Sequence, residues 1–197
     1  MKRYDREYFA RWYGGPAALV TPDAIRRKVR VALAAAEILL DRDVRTVLDV
    51  GCGEGRWRAV LHRARPKLSY LGVDGSEYVV RRWGARRGIR RGTLGTIGRL
   101  GLRRRFDLIV CSDVLPYVPT GELRRGLGAL RRLAGGVLYL DVLTTEDEWE
   151  GDREQWQPRS TRTYRRLFAE AGLIPAGLHC WVPRSSAPLL AALERCG

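Results

Sequence analysis

Lysine is nearly missing from this chain of 197 residues: it stands only at positions 2, 28 and 67, so arginine supplies 33 of the 36 basic residues. The arginines are scattered over several helical stretches and form no basic tail, so the net charge of +14 does not by itself indicate a nucleic-acid arm. Codon usage in a genome rich in G and C explains such an arginine bias. Long apolar runs are also missing, and no stretch approaches the length that spans a bilayer. The opening residues Met1-Lys2-Arg3-Tyr4-Asp5-Arg6-Glu7 lack the apolar middle of a signal peptide. The four cysteines, Cys52, Cys111, Cys180 and Cys196, lack the spacing of metal ligands. Three of them sit in apolar or strand-like surroundings, which suggests reduced thiols and a cytoplasmic protein without a membrane or metal partner. There are no repeats, linkers or low-complexity segments, and the length suits one domain over residues 1–197. The pattern fixes no oligomeric state.

What is there centres on Val47-Leu48-Asp49-Val50-Gly51-Cys52-Gly53-Glu54-Gly55-Arg56-Trp57. A short apolar run carries an acid, three glycines follow at every second position, and a helical pattern begins with Val60 and Leu61. Strand, glycine turn and helix open a βαβ unit. The glycines let the backbone turn sharply and let a ligand lie against it. Dinucleotide-binding loops want Gly-x-Gly-x-x-Gly. Here the spacing is Gly51-x-Gly53-x-Gly55, with Asp49 before it and Glu54 inside it. Two carboxylates repel a pyrophosphate and attract a cation, which opposes a nicotinamide-dependent oxidoreductase.

This stretch resembles motif I of the class I S-adenosylmethionine (SAM) dependent methyltransferases, whose cofactor carries an ammonium and a sulfonium. The resemblance extends over about residues 44–182. It implies an α/β fold: a Rossmann-like three-layer sandwich with a mostly parallel sheet of six or seven strands and helices on both faces. Asp49, Gly51, Cys52, Gly53 and Gly55 would then border the methionine part of the cofactor. Leu68 to Asp74 reads as the second strand, and its terminal acid, 25 residues after Asp49, matches the family's ribose ligand, with Gly75 beside it. The same acid could instead cap the helix that follows Ser76, and the two roles are compatible. Many relatives carry an acid after strand three that meets the adenine amino group. This chain has Thr93, Leu94 and Gly95 there, so adenine would be held by backbone or by the Thr93 hydroxyl.

Phe106 to Val118 reads as a strand with a polar tip and resembles the family's motif IV. It places Ser112, Asp113, Val114 and Tyr117 near the sulfonium. Many relatives have histidine where Pro116 stands, which removes one familiar base. Asp113 and His62 are the remaining candidates, although His62 falls on the outer face of its helix. The absence of a proline-cysteine motif opposes methylation of a base carbon.

The rest of the chain reads as follows. Tyr4, Tyr8 and Trp12 recur at helical spacing, beside Phe9 and Tyr13, before Gly14-Gly15-Pro16. This segment within residues 1–20 is either a packed helix or an aromatic lid over cofactor and substrate. Thr21-Pro22-Asp23 starts a helix whose stripe is Ile25, Val29, Leu33, Ala36 and Leu40, with Arg26, Arg27, Lys28 and Arg30 on solvated faces. Helices follow from Ser76 to about Arg87, from Gly121 to Leu133, closed by Gly135-Gly136, and from Ser160 to Ala171. Residues 88–101 show no pattern. Val137 to Val142 reads as strand five. Thr144 to Pro158 is an acid-rich loop with Trp149 and Trp156, either a substrate contact or a solvated loop. Leu173 to Val182 reads as one last strand with His179 half-buried in it, which suggests six strands, and Ala187 to Arg195 as a short helix. The expected function is methyl transfer from SAM, giving S-adenosylhomocysteine, to oxygen or nitrogen of a small molecule. RNA is the runner-up acceptor, and a SAM-binding protein without catalysis is the third reading. Tyr13, Trp149 and Trp156 are candidate substrate contacts.

Overall fold

The computed structural model describes residues 4–13, 20–148 and 152–195. Among them, seven strands form one sheet: β1 (Thr46–Val50), β2 (Ser69–Asp74), β3 (Ile89–Arg91), β4 (Phe106–Ser112), β5 (Ala134–Asp141), β6 (Leu173–Gly177) and β7 (Cys180–Pro183). Their spatial order is β3-β2-β1-β4-β5-β7-β6. β1 to β5 are parallel, and β7 runs antiparallel to both β5 and β6. The helices are α1 (Arg6–Tyr13), α2 (Pro22–Leu40), α3 (Arg56–Ala64), α4 (Glu77–Arg87), α5 (Thr120–Leu133) and α6 (Thr161–Glu170).

The period of two along β4 sorts the core onto two faces. Leu108 and Val110 meet Val29 and Leu33 of α2 and Trp57 and Leu61 of α3. Ile109 and Cys111 meet Leu123 and Leu127 of α5 and Tyr164 and Phe168 of α6. Helices on both sides of a mostly parallel sheet make the expected three-layer sandwich. The helix starts are local chemistry. Thr21 Oγ1 accepts from Ala24 N at 3.1 Å, and Pro22 opens α2 with its fixed φ. Ser76 and Ser160 cap α4 and α6 in the same way. Strand order reverses between β1 and β4, so a crevice opens beyond their C-terminal ends, where sheets of this kind take ligands.

The structure corrects several sequence expectations. Residues 173–182 form a hairpin, not one strand, which brings the sheet to seven of the expected six or seven strands. Leu178 (φ 48°) and His179 (φ 65°) are consecutive left-handed residues, as a tight hairpin turn requires, yet neither side chain signals it. His179 consequently sits exposed in the turn. Gly135 and Gly136 do not cap α5: they lie inside β5, where a Cβ on Gly136 would stand 2.4 Å from the carbonyl oxygen of Asp107. Residues 88–101 hold β3 and a 3-10 helix, Leu94–Arg99. The chain end forms two 3-10 turns, Arg184–Leu189 and Ala192–Glu194, with Pro188 inside the first and unable to donate to a longer helix.

Candidate active site

The glycine loop is set by backbone geometry. Gly51, Gly53 and Gly55 have φ of 73°, 50° and 78°, values that side chains disfavour. Gly51 also has no room for one: a Cβ would meet Val114 Cγ2 at 2.1 Å. The loop is tied to β2 by Gly51 N and Cys52 N, which donate to the Val73 carbonyl oxygen at 2.7 and 3.2 Å. Asp74 completes the tie. Its two carboxylate oxygens accept from Gly53 N and Ser76 N, both at 2.8 Å, so one acid braces the loop and the start of α4. Burial raises its pKa above the usual carboxylate value, and these two amides oppose the rise. Each oxygen keeps acceptor capacity toward the crevice.

Asp49 lies beneath the loop and is 2% exposed. Burial pushes its pKa up to about 7, with the Tyr70 hydroxyl, which donates to it at 2.7 Å, opposing the rise and the charge of Asp74 adding to it.

Above the loop lies a cavity of about 580 Å³. Asp49, Gly51, Cys52, Gly53, Asp74, Gly75, Thr93, Leu94, Ser112, Asp113, Val114 and Tyr117 all line it. Gly55 does not; it is buried at the left-handed N-cap of α3 and shapes the turn. Thr93 starts the 3-10 helix after β3, its N–H donating to Thr96 Oγ1 at 2.9 Å. The residues Tyr4, Tyr8 and Phe9 line the opposite wall. Phe9 sits against the glycine loop, 3.2 Å from where a Gly53 Cβ would be, and stacks on Tyr78 at 6.1 Å. The Ser76 hydroxyl bonds the Tyr4 carbonyl oxygen, fastening the start of this segment to α4.

At the tip of β4, Asp113 adopts φ 61°, and its side chain is about one-third exposed, toward the cavity. Ser112 Oγ lies 3.1 Å from both Asp113 Oδ2 and Asp141 Oδ2. Lys28 Nζ pairs with Asp141 Oδ2 and lies 3.8 Å from Asp113 Oδ2. Burial raises the Asp113 pKa; Lys28 pulls it back and Asp141 pushes it further up. Burial alone would lower the Lys28 pKa, but the two carboxylates outweigh it and hold the ammonium charged. Lys28 is therefore a cavity residue and not part of a solvated face. Among the described residues the cavity counts five carboxylates, Asp49, Glu54, Asp74, Asp113 and Glu122, against the basic side chains of Arg6, Lys28 and Arg56. In a chain of net charge +14, its wall is locally acidic.

Besides Gly55, two further candidates are not brought to this wall. His62 lies on α3 against Tyr70, with ring centroids 6.5 Å apart, and is not a cavity residue. Trp156 belongs to the acidic loop and does not line the cavity. That loop is tied down: the Tyr117 hydroxyl donates to the Asp152 carbonyl oxygen at 3.0 Å, and Glu146 accepts from Thr161 N at the start of α6. The side chain of Tyr13 and the whole of Trp149 lie outside the described residues, as do Gly14-Gly15-Pro16 and Cys196. Cys52, Cys111 and Cys180 are buried free thiols. Among the described residues no helix is long and apolar enough to cross a membrane.

Sequence reasoning missed Lys28, Tyr70, Glu122 and Arg159. Arg159 is 6% exposed and donates to the carbonyl oxygens of Leu115, at 3.2 Å, and Val118, at 2.6 Å, clamping the turn between β4 and α5. No motif marks it. Glu122 fell within a recognised helix but off its stripe of Leu123, Leu127 and Leu130, and nothing in the sequence marks it.

Residues 22–176 match the family described as a methyltransferase domain. The chain belongs to that family. Its cofactor is SAM. Several solved structures share the fold. A SAM-dependent methyltransferase from Archaeoglobus fulgidus aligns with a TM-score of 0.66 at 13% identity, over 85% of this chain and 73% of that one. DesVI from Streptomyces venezuelae aligns at 0.62 and 16%, over 82% and 91%. The sugar N-methyltransferase KedS8 from Streptoalloteichus aligns at 0.53 and 24%, over 77% of this methyltransferase but only 59% of that protein. Comparison with curated proteins gave no match.

Proposed function

We propose that this methyltransferase acts on an oxygen or nitrogen of a small molecule that enters the cavity between α1 and the tip of β4. The observation that carries this reading is the acidic, part-covered cavity in a basic protein. Its volume lies in the range of small-ligand sites, and the arginines that would grip a phosphate backbone are mostly elsewhere. KedS8 is a sugar N-methyltransferase, which fits the same class of acceptor.

The residues suit the cofactor. Asp49, Gly51, Cys52 and Gly53 would border its methionine part, Asp74 and Gly75 the ribose, Thr93 and Leu94 the adenine, and Ser112, Asp113, Val114 and Tyr117 the sulfonium. When bound, SAM supplies an electrophilic methyl group on a cationic leaving group. The chain's part is alignment and charge. The glycine loop lets backbone approach closely, and α1 with Tyr4, Tyr8 and Phe9 excludes water as a lid. Asp113 faces the cavity with a raised pKa and takes the acceptor's proton where one must leave, while Lys28 holds its carboxylate in place.

The test is transfer of label from methyl-labelled SAM into panels of small amines and hydroxyl compounds and, separately, into RNA. The reading expects label in a small molecule. Label confined to RNA would overturn the acceptor class. Cofactor binding without transfer to any pool would overturn catalysis.

A further inference from the structure

We propose that Glu122, in the first turn of α5, accepts a hydrogen bond from the exocyclic amino group of adenine and so selects an adenosyl cofactor. This rests on the SAM reading of the cavity and deepens it. The segment after β3, Thr93-Leu94-Gly95, offers no acid of its own. Glu122 brings one to the same wall from another element, and it lines the cavity beside them.

The placement is built into the packing. A Cβ on Gly95 would stand 2.5 Å from Glu122 Oε2 and 3.3 Å from Glu122 Cβ, so the side chain lies directly over a residue that has none. Four residues on, a Cβ at Gly126 would stand 2.4 Å from Leu94 Cγ. Two glycines, one on each element, thus let α5 and the 3-10 helix after β3 approach closely and fix where Glu122 reaches.

The other cavity acids are already engaged: Asp74 with Gly53 N and Ser76 N, Asp49 with Tyr70, Asp113 with Ser112 and Lys28, and Glu54 with the Tyr78 hydroxyl at 3.4 Å. Among the described residues Glu122 has no hydrogen-bond or ion-pair partner. A carboxylate only accepts, so it suits an amino group and opposes an exocyclic oxo group at the same position. With Asp74 on the ribose, the attached base projects along the wall of Thr93, Leu94 and Gly95, and Glu122 is the acid there. The bland alternative is a first-turn acid that only complements the N-terminus of α5.

The experiment compares the affinities of wild type and Glu122→Gln for S-adenosylhomocysteine and S-inosylhomocysteine, in which an oxo group replaces the amino group. Wild type should prefer the adenosyl ligand by about tenfold or more, the value of one charge-assisted hydrogen bond. In Glu122→Gln the ratio should shrink to within about threefold, because the amide both accepts and donates. A helix-stabilising role would change both affinities together and leave the ratio. An unchanged ratio would overturn the role of Glu122 alone. Failure of wild type to bind either ligand would overturn the cofactor reading and this proposal with it.

Discussion

Replacing Asp49 by Asn should stabilise the ligand-free protein at high pH while weakening its hold on the cofactor. Asp49 is buried at the end of β1, and its carboxyl titrates at about 7 where an exposed aspartate titrates near 3.8. That displacement corresponds to about 4 kcal/mol at 1.36 kcal/mol per pH unit. Because the folded pKa is the higher one, the folded state holds the proton more tightly. Stability from this group is therefore intact below about pH 4 and is lost as the pH rises to about 7. Asparagine has the same size, can still accept from the Tyr70 hydroxyl, and carries no charge to desolvate. Asp49→Asn should match wild type near pH 4 and exceed it by up to about 4 kcal/mol at pH 8. Urea unfolding followed by tryptophan fluorescence, at several pH values, gives the difference directly. A difference that stays constant across the range, or a variant less stable than wild type at pH 8, would refute the reasoning. The same variant should bind S-adenosylhomocysteine more weakly, since the buried charge that destabilises the empty protein faces the cofactor's cationic end.

Other substitutions test other parts of the account. Gly51→Ala combines a left-handed φ of 73° with a Cβ 2.1 Å from Val114 Cγ2, so titration calorimetry should show at least a tenfold loss of cofactor affinity, about 1.4 kcal/mol. Arg159→Ala strands the carbonyl oxygens of Leu115 and Val118, and urea unfolding should show a loss of about 3 kcal/mol. Asp113→Asn should lower kcat and should flatten the acid limb of the kcat profile, where an ionised base is needed. In steady-state kinetics, an acid limb that survives the substitution would remove Asp113 as the base.

The glycine loop, the terminal acid of β2 and the tip of β4 were legible because each needs particular residues in consecutive positions. Gly51 is required by both φ and contact, and Asp74 holds one amide of the glycine loop and one of the turn that follows its own strand. The stripes of α2, α5 and α6 were legible because burial repeats at helical spacing. What stayed hidden depends on pairing at long range. Lys28 lies among arginines that face solvent, and only folding brings it to Asp141, 113 residues away. Arg159 reaches the turn after β4 across 41 and 44 residues. The hairpin at Leu178-His179 was missed because its left-handed residues carry side chains that normally avoid that conformation. Gly135 and Gly136 suggested a helix stop, but their bareness answers to the β4 backbone beside them.

The most direct test of the central claim is calorimetric titration of S-adenosylhomocysteine into wild type and Asp74→Ala, with thermal unfolding of both to show that the variant folds. The account predicts micromolar binding to wild type and a loss of at least about tenfold in the variant, which removes the ribose acceptor and the brace of Gly53 and Ser76 together. Absence of binding to wild type, or equal binding to both proteins, would contradict it.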